Sequence, residues 1–435
     1  MPQLDPEKQR GFAVEVVGKL RAAGFEAFWA GGCVRDQILG RIPKDYDVAT
    51  AARPDEIRAL FGTRRTLAIG AAFGVITVLG PKIPAGQIEV ATFRQDSAYS
   101  DGRHPDAVEF STPEADAQRR DFTINGLFYD PIEDRVIDFV GGQDDLARGI
   151  VRAIGEPRAR FVEDKLRLLR AVRFAATFDF TLDPATREAV EEMAGQITVV
   201  SVERIAGEMR LMLVNHRRAT AVDLLRDVGL LDVILPELST ANQPEVLTAT
   251  GRPGEAAWVA TLEVLDALAD GSFPLTLAAL LHAFVDAAAS LSVCRRWKLS
   301  NRDTQRTGWL VEHQHALLGA RHAAWPKLQR ILISEGIDEL LLLHEAIAQA
   351  AEKPTSDVEH CRELLKMPRD QLDPPPLLSG DDLIAHGVPR GKLYQSLLEA
   401  VRDAQLEKKI TTKQQALALV DQLRAAKRED DSTPG

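Results

Sequence analysis

The chain has 435 residues, of which 45% are hydrophobic and 27% charged, as in ordinary globular proteins. No apolar run approaches the roughly 20 residues that span a bilayer, and no signal peptide is predicted. The net charge of −11 argues against a protein coated with nucleic acid over its whole surface, although a local basic channel is compatible with it. The three scattered cysteines, Cys33, Cys294 and Cys361, form no Cys-x-x-Cys pair, which predicts a reducing, cytoplasmic location.

Helix and strand signals alternate over the first ~150 residues. Periodicity and Gly/Pro breaks predict a helix over 7–24 and strands over 25–30, 75–79, 88–93, 108–110 and 136–139. After Gly155 the 3.6-residue periodicity predicts helices over 161–177, 184–195, 201–215, 218–230, 256–270, 274–289 and 302–319. We therefore expect an α+β head followed by an all-helical remainder, divided as 1–150, 151–216, 217–372 and 373–435.

Residues 31–50 combine a phosphate-binding signal with a metal-binding signal. Gly31 and Gly32 let backbone N–H groups approach a polyphosphate closely, and a helical stretch with Arg35 follows. Asp45 and Asp47 project to the same side of a short apolar strand. Paired carboxylates are typical Mg2+ ligands in nucleotidyl transfer. An ordinary acidic strand edge is the alternative, but the Gly-Gly-x-x-Arg spacing favours a joint metal and triphosphate site.

Glu89 is a third acidic candidate. It alternates with the apolar Ile88 and Val90, so its side chain points to the opposite face of the predicted strand. If that strand pairs beside the one with Asp45 and Asp47, three carboxylates converge, and Glu89 can anchor metal or act as general base. A solvated polar position is the alternative.

Two polar segments follow. Residues 94–105 form a long loop in which Arg103 could reach a phosphate. In the segment 119–127, Arg120 offers a bidentate grip on phosphate, and Asn125 can bind a ribose hydroxyl or hold a loop. We expect an apolar helix to begin there, with helix capping by Asp121 or Thr123 as the alternative role.

A helix predicted over 163–174 carries arginines at intervals of three residues, Arg167, Arg170 and Arg173. Asp164 and Arg167 lie within one turn and can form a hydrogen-bonding edge. Aspartate accepts from an exocyclic amine while arginine donates to ring acceptors, which is how side chains read a base. On this helix alone, a solvated face with a Glu163–Arg167 pair explains the pattern at least as well.

The helical half contains two further candidates. His282 is interpreted as a core histidine, because no His/Asp cluster accompanies it. Arg295, Arg296 and Lys298 flank Trp297 in a basic-aromatic patch suited to contacts with the RNA backbone and to stacking on bases. A capped helix start with surface cations is the alternative.

Together these segments resemble the class II tRNA nucleotidyltransferases (CCA-adding enzymes) of the polymerase-beta-like nucleotidyltransferase superfamily. The resemblance is strongest up to about residue 215 and looser beyond. It is carried by GGCVRD with DYD, IEVATFR, YSDGRHP, RRDFTINGL, EDKLRLLRAVRF, SVERIAGEMRLML, RWKLSN and DLIAHGVPRGKLYQSLLEA.

The resemblance implies a catalytic head with a small mixed sheet, then helical neck, body and tail that grip tRNA. It implies Mg2+ at Asp45 and Asp47 and triphosphate contacts from Gly32 and Arg35. It also implies that CTP or ATP is chosen by Asp164 and Arg167 without a nucleic-acid template, and that loop 94–105 helps to switch from C to A addition. The residues expected around the nucleotide are Arg120, Asp121, Asn125, Asp164, Arg167, Arg170 and Arg173.

Several alternatives stay open at this point. A bacterial poly(A) polymerase shares the head and neck, but the sequence Gly62-Thr-Arg-Arg-Thr66 lacks the basic Gly-Arg-Arg-Phe stretch of that group. A-only addition is not separated from full CCA addition by the sequence. An RNA-binding protein with a relic head and a phosphohydrolase fusion are disfavoured. Phe73 and the segment Pro389-Arg-Gly391 depart from the family pattern and leave the fit to tRNA open.

Overall fold

A seven-stranded mixed sheet forms the centre of the head in the computed structural model, which describes residues 5–81, 85–96, 108–242, 247, 254–269, 271–389, 391 and 393–430. Its strands are β1 (Ala27–Ala30), β2 (Asp47–Thr50), β3 (Thr66–Leu67), β4 (Val75–Leu79), β5 (Gln87–Thr92), β8 (Phe128–Asp130) and β9 (Arg135–Ile137), in the order β3-β4-β5-β2-β1-β8-β9. Strands β2 and β5 run parallel, and the other neighbours are antiparallel. Two small pairs accompany the sheet: β6 (Arg94–Asp96) with β7 (Val108–Phe110), and β10 (Ile150–Val151) with β11 (Thr181–Leu182).

The sheet is held by apolar side chains that alternate along its strands. In β5, Ile88, Val90 and Thr92 are buried while Gln87 and Glu89 are exposed. One buried cluster comprises Phe28, Ala30, Ala49, Phe93, Ala117 and Phe128. Helix α1 (Pro6–Ala22) packs on β1, β2 and β5, and the Asp5 carboxylate caps its first turn.

By chain contacts the molecule divides into two units, residues 1–242 with 296–299 and residues 243–295 with 300–435. The further helices of the first unit are α2 (Gly32–Ile38), α3 (Pro54–Phe61), α4 (Pro113–Gln118), α5 (Gly142–Arg148), α6 (Pro157–Glu163), α7 (Leu166–Phe178), α8 (Pro184–Met193), α9 (Val202–Leu213), α10 (Arg218–Asp227) and α11 (Leu230–Ile234). Helix α7 packs between α9 and α10 through its buried residues Leu168, Leu169 and Val172.

The second unit is helical in its described residues. Its helices are α12 (Gly254–Ala267), α13 (Phe273–Leu281), α14 (Ala287–Arg296, whose last residue is grouped with the first unit), α15 (Asn301–Glu312), α16 (Trp325–Leu332), α17 (Ile337–Ala350), α18 (Ser356–Leu365), α19 (Arg369–Leu372), α20 (Gly380–Ala385), α21 (Leu393–Leu406) and α22 (Lys413–Asp430). Residues beyond the proline run at 374–376 have a core of their own: Leu378, Leu383, Val388, Leu397, Val401, Ala416 and Val420. In the part of the chain that is described, no helix is long and apolar enough to cross a membrane.

The expected α+β head with a mixed sheet, followed by helices, is confirmed. Four element predictions are wrong in detail. The helix predicted over 302–319 ends at Glu312. The segment 119–127 begins no helix: Phe122 is extended and a single 3-10 turn, Thr123–Asn125, leads into β8. The helix predicted over 161–177 is broken at Asp164, and the one over 274–289 ends at Leu281 and restarts at Ala287, where Asp286 accepts a hydrogen bond from the Ala289 N–H.

The loop prediction is tested only at its ends. The strand predicted over 108–110 is confirmed, but the loop prediction is wrong for residues 94–96, which pair with 108–110 in the β6–β7 hairpin. Residues 97–107, including Arg103, lie outside the described residues.

Candidate active site

The turn between β1 and α2 places the Gly-Gly pair against the other motifs. Gly31 has φ +74°, a conformation that side chains other than glycine rarely adopt. A Cβ at Gly31 would lie 2.8 Å from Nη1 of Arg120. The absence of a side chain at position 31 therefore lets the Arg120 guanidinium lie directly on this turn.

A chain of hydrogen bonds fixes the residues beside this turn. Arg35 on α2 donates from Nη1 to the Asn125 side-chain oxygen at 2.6 Å. Asn125 donates to Asp121 Oδ1 at 3.1 Å, and Arg170 donates from Nε to Asp121 Oδ2 at 2.8 Å. Burial alone would raise the pKa of Asp121, but the charge and hydrogen bonds of Arg170 outweigh it and lower the pKa to about 2. This carboxylate is therefore charged at neutral pH and holds two predicted nucleotide-binding residues in place.

The three acidic candidates share one groove. Parallel pairing of β2 with β5 sets Asp47 opposite Glu89, which confirms that the two strands are neighbours. Asp45, Asp47 and Glu89 line a groove of about 580 Å³, together with Gln9, Lys44, Tyr46, Leu79, Gly86 and Gln87. Loss of solvation, followed by the charges of Asp45 and Glu89, raises the pKa of Asp47 to about 6.

These carboxylates suit a divalent ion that keeps water or phosphate ligands better than an ion enclosed by protein ligands alone. In the described residues, no three carboxylate, imidazole or thiol groups lie close enough to enclose a metal by themselves. The convergence expected of Asp45, Asp47 and Glu89 therefore stops short of a three-carboxylate metal set. Mg2+ is commonly held by one or two carboxylates plus substrate phosphates, so Asp45 and Asp47 match its donor preference.

Asp47 also lines a second cavity, of about 470 Å³, that is strongly basic. Its described lining includes Arg35, Arg119, Arg120, Arg167, Arg170 and Arg204 against Asp47, Asp121 and Asp164, with Gly31, Gly32, Asn125, Leu166 and Phe174. Six guanidiniums against three carboxylates suit an anion with several charges. Of the residues predicted around the nucleotide, Arg173 is the exception. It pairs with Glu208 at 2.6 Å, packs on Phe174, and is not among the described residues that line the cavity.

The predicted base-reading pair lies in this cavity with partners of its own. Asp164 joins α6 to α7 in an extended conformation, and its Oδ1 accepts a hydrogen bond from the Leu166 N–H at 3.0 Å. Its Oδ2 accepts from Arg204 Nη2 on α9 at 2.7 Å. Arg167 is 8% exposed and donates to Glu163 at 2.6 Å. The Glu163–Arg167 pair expected of a plain charged face thus exists, yet both Asp164 and Arg167 still border the cavity.

Sequence reasoning missed three contributors. Arg204 was quoted only inside a longer motif, Arg119 only inside the 119–127 segment, and Asp116 was not considered. Asp116 is 1% exposed and pairs with Arg119 and Arg120 at 2.8 and 2.9 Å. The spacing of a carboxylate three and four residues before two arginines was the available signal.

The predicted RNA patch is only partly open. Trp297 is 2% exposed, so the expectation that its ring could stack on bases is wrong. Arg296 is paired with Glu237, and Lys298 with Glu203 at 2.6 Å, while Arg295 is exposed. His282 is 5% exposed with Nδ1 2.7 Å from the Ala279 carbonyl oxygen, as expected of a core histidine. All three cysteines are buried and free.

Comparison with known proteins gives three matching family models. They are the poly A polymerase head domain over residues 27–152, the probable RNA and SrmB-binding site of polymerase A over 179–242, and a putative tRNA nucleotidyltransferase domain 2 over 275–420.

Two relatives and one solved structure illustrate the similarity. The CCA-adding enzyme of Geobacillus stearothermophilus is 34% identical over 335 residues, which covers 76% of this chain and 75% of that protein. Poly(A) polymerase I of Haemophilus influenzae is 37% identical over 240 residues, 52% of each chain. The crystal structure of the Bacillus stearothermophilus CCA-adding enzyme in complex with CTP superposes with a TM-score of 0.77 at 27% identity, over 97% of this chain and 99% of that one.

Proposed function

Because the chain belongs to the family of CCA-adding enzymes and bacterial poly(A) polymerases, we propose that it adds the CCA sequence to the 3′ end of tRNA. It is a nucleotidyltransferase that uses CTP and ATP and releases pyrophosphate. The observation that carries this function is the position of Asp47, which lines both the arginine-rich cavity and the carboxylate groove. A triphosphate and a metal-activated hydroxyl can therefore meet at one residue.

CCA addition is favoured over poly(A) synthesis by the extent of the similarity. The CCA-adding relative matches about three quarters of each chain, whereas the poly(A) polymerase matches about half. The match to a putative tRNA nucleotidyltransferase domain lies at residues 275–420, beyond the proposed head and neck at 1–216. A-only addition remains the second candidate, because the YSDGRHP sequence, which counts against CC-only addition, does not separate A-only from full CCA addition.

The proposed roles follow from the side chains. Arg35, Arg120 and Arg170 bind the triphosphate and stabilise negative charge on the leaving pyrophosphate. Glu89 accepts the proton of the attacking 3′-hydroxyl. Asp45 and Asp47 would hold Mg2+, which when bound polarises the reacting phosphate and lowers the pKa of the hydroxyl.

Selection of the base is assigned to Asp164 and Arg167. Each carboxylate oxygen has two lone pairs, so the bonds from Leu166 and Arg204 leave Asp164 able to accept one more hydrogen bond per oxygen. Cytosine and adenine both present an exocyclic amine, whereas uracil and guanine present a carbonyl oxygen at that place. Asp164 as a hydrogen-bond acceptor therefore favours CTP and ATP.

The remaining parts of the chain are assigned to tRNA. We propose that residues 151–216 serve as neck, 217–372 as body and 373–435 as tail, the last supported by its separate apolar core. Arg295, Arg296 and Lys298 contribute weakly to RNA binding in this scheme. A cytoplasmic location suits the free, buried thiols.

Substitution of the acidic pair tests the proposed chemistry. Asp45→Ala and Asp47→Ala are each expected to lower the rate of CMP addition at least a hundredfold, because the metal loses a carboxylate ligand. Asp144→Ala, which removes an exposed carboxylate on α5, is the matched control and should leave the rate unchanged. The measurement is incorporation of labelled CMP into tRNA that lacks CCA. Full activity in either of the first two variants would refute the assigned metal site.

A further inference from the structure

Asp116 is a buried carboxylate to which the reaction described above assigns no part. It lies on α4 with 1% of its surface exposed, one turn before Arg119 and Arg120. Its Oδ1 accepts from Arg119 Nε and Nη2 at 2.9 and 2.8 Å, and its Oδ2 accepts from Arg120 Nη2 at 2.9 Å. One carboxylate thus orients two neighbouring guanidiniums, both of which line the basic cavity.

The same carboxylate also contacts the base of the β6–β7 hairpin. The backbone N–H of Arg94, the first residue of β6, donates to Asp116 Oδ1 at 3.3 Å, and Arg119 Nε donates to the Arg94 carbonyl oxygen at 3.1 Å. The Arg119 carbonyl oxygen in turn accepts from Arg167 Nη2 at 3.3 Å. Asp116 therefore contacts the hairpin directly, and it is linked to the turn of Gly31 through Arg120 and to the base-reading helix α7 through Arg119.

Electrostatics favours a charged Asp116. Burial alone would raise the pKa of this group, but the charges of Arg120 and Arg119 outweigh burial and lower the pKa. The guanidiniums keep 19% and 20% of their side-chain surface open, so they can bind a further anion while Asp116 holds them. A carboxylate that fixes two arginines in advance reduces the entropy lost when a ligand binds.

We propose that Asp116 is a positioning residue for the triphosphate: it holds Arg119 and Arg120 in the orientation that binds the phosphates, independently of the base. This inference rests on the proposed function, because it assumes that the basic cavity takes a nucleoside triphosphate. Since Asp116 acts through the two arginines, its loss weakens phosphate binding without changing the choice between CTP and ATP.

The test measures binding to the full-length protein by isothermal titration calorimetry with CTP, ATP and inorganic tripolyphosphate at constant Mg2+. Asp116→Asn is expected to raise all three Kd values by the same factor, about tenfold, the size expected for misplaced charge-assisted hydrogen bonds. Asp116→Glu keeps the charge but displaces it by one methylene, and should show an intermediate increase.

Asp130→Asn is the matched control. Asp130 is a fully buried carboxylate of the same unit that pairs with Arg21 at 2.7 Å, and it is not among the residues that line the basic cavity. The Asp130→Asn variant should lose thermal stability, as Asp116→Asn does. Its Kd values for the three ligands should stay within about twofold of those of the parent protein.

Three results would overturn the inference: parent-like Kd values in Asp116→Asn, an equal increase in Asp130→Asn, or weaker CTP and ATP binding with unchanged tripolyphosphate binding. If Asp116→Asn does not fold, the Kd values of Asp116→Glu test the inference instead. Parent-like Kd values in Asp116→Glu would overturn the inference as well. A parent protein that binds the three ligands but adds no nucleotide to tRNA would refute the proposed function, while the Kd comparison still decides the role of Asp116.

Discussion

Arg204 shows how a single residue outside the head can set the properties of the site. Its guanidinium reaches from α9 to Asp164 at the junction of α6 and α7, with N and O 2.7 Å apart. The pair fixes the direction of the remaining lone pairs of Asp164. Nothing in the local sequence around Asp164 indicates this partner, because the two residues are 40 positions apart.

Replacing Arg204 tests the role of Asp164 in base selection. In Arg204→Met the Asp164 carboxylate loses the guanidinium that orients it and can rotate, so the preference for CTP over UTP should fall about tenfold, the size expected for one charge-assisted hydrogen bond. The measurement is the ratio of kcat/KM for CMP and UMP addition to tRNA without CCA. Arg187→Met, which removes a surface partner of Glu191, should leave the ratio unchanged. An unchanged ratio in Arg204→Met would show that Asp164 does not read the base.

At the scale of elements, sequence patterns predicted several helices and strands but not the breaks between consecutive helices. Alternation in β4 and β5 and periodicity in α9 gave these elements within one or two residues. The break at Asp164 was missed because Glu163 to Phe174 has unbroken helical periodicity, whereas the extended conformation of Asp164 depends on partners on α9 and α7. Asp45, Asp47 and Arg120 were predicted as site residues from residue type and spacing. Asp116 and Arg119 had only the i, i+3 and i, i+4 spacing as a signal, and Arg204 required the tertiary contact with Asp164.

The link between the 121–125 segment and α7 should make stability depend on pH. Arg170 lowers the pKa of Asp121 to about 2, whereas the pKa of an aspartate in the unfolded chain is about 3.9. A lowered folded-state pKa stabilises the fold fully above the unfolded value, and this contribution is lost as the pH falls through about 4 towards 2.

Urea unfolding of the parent and of Asp121→Asn checks this link. The difference in free energy of unfolding between the two proteins should be constant from pH 7 to pH 5 and should shrink towards pH 2.5. The variant has no titrating group at position 121, so the pH dependence of its free energy of unfolding reports the contribution of all other carboxylates. A difference that stays constant down to pH 2.5 would contradict the assigned ion pair.

For the whole molecule, charge distribution matters more than total charge. The chain carries a net charge of −11, yet the described lining of its basic cavity has six arginines and three aspartates. A general negative charge reduces non-specific binding of polyanions, while a local basic cavity still attracts them. Recognition of a large RNA must then use defined contacts along the helical part of the chain.

The assignment of residues 373–435 to tRNA binding can be tested with shortened RNA. An acceptor-stem microhelix without the T arm keeps the 3′ end but removes the distant surface that the tail would contact. We expect KM for the microhelix to exceed that for tRNA about tenfold or more, with a similar kcat. Equal KM values for the two RNAs would remove the tail from the proposed interface.

The central claim is tested most directly by the products of nucleotide addition. Purified protein with Mg2+ is given tRNA transcripts that end before CCA, after C and after CC, with CTP and ATP separately and together, and the products are sequenced. The proposed function predicts that each transcript is completed to CCA and extended no further, with CTP alone giving CC and ATP alone extending only the CC transcript. Adenosine tracts, A addition without any C addition, or no incorporation on any transcript would contradict it.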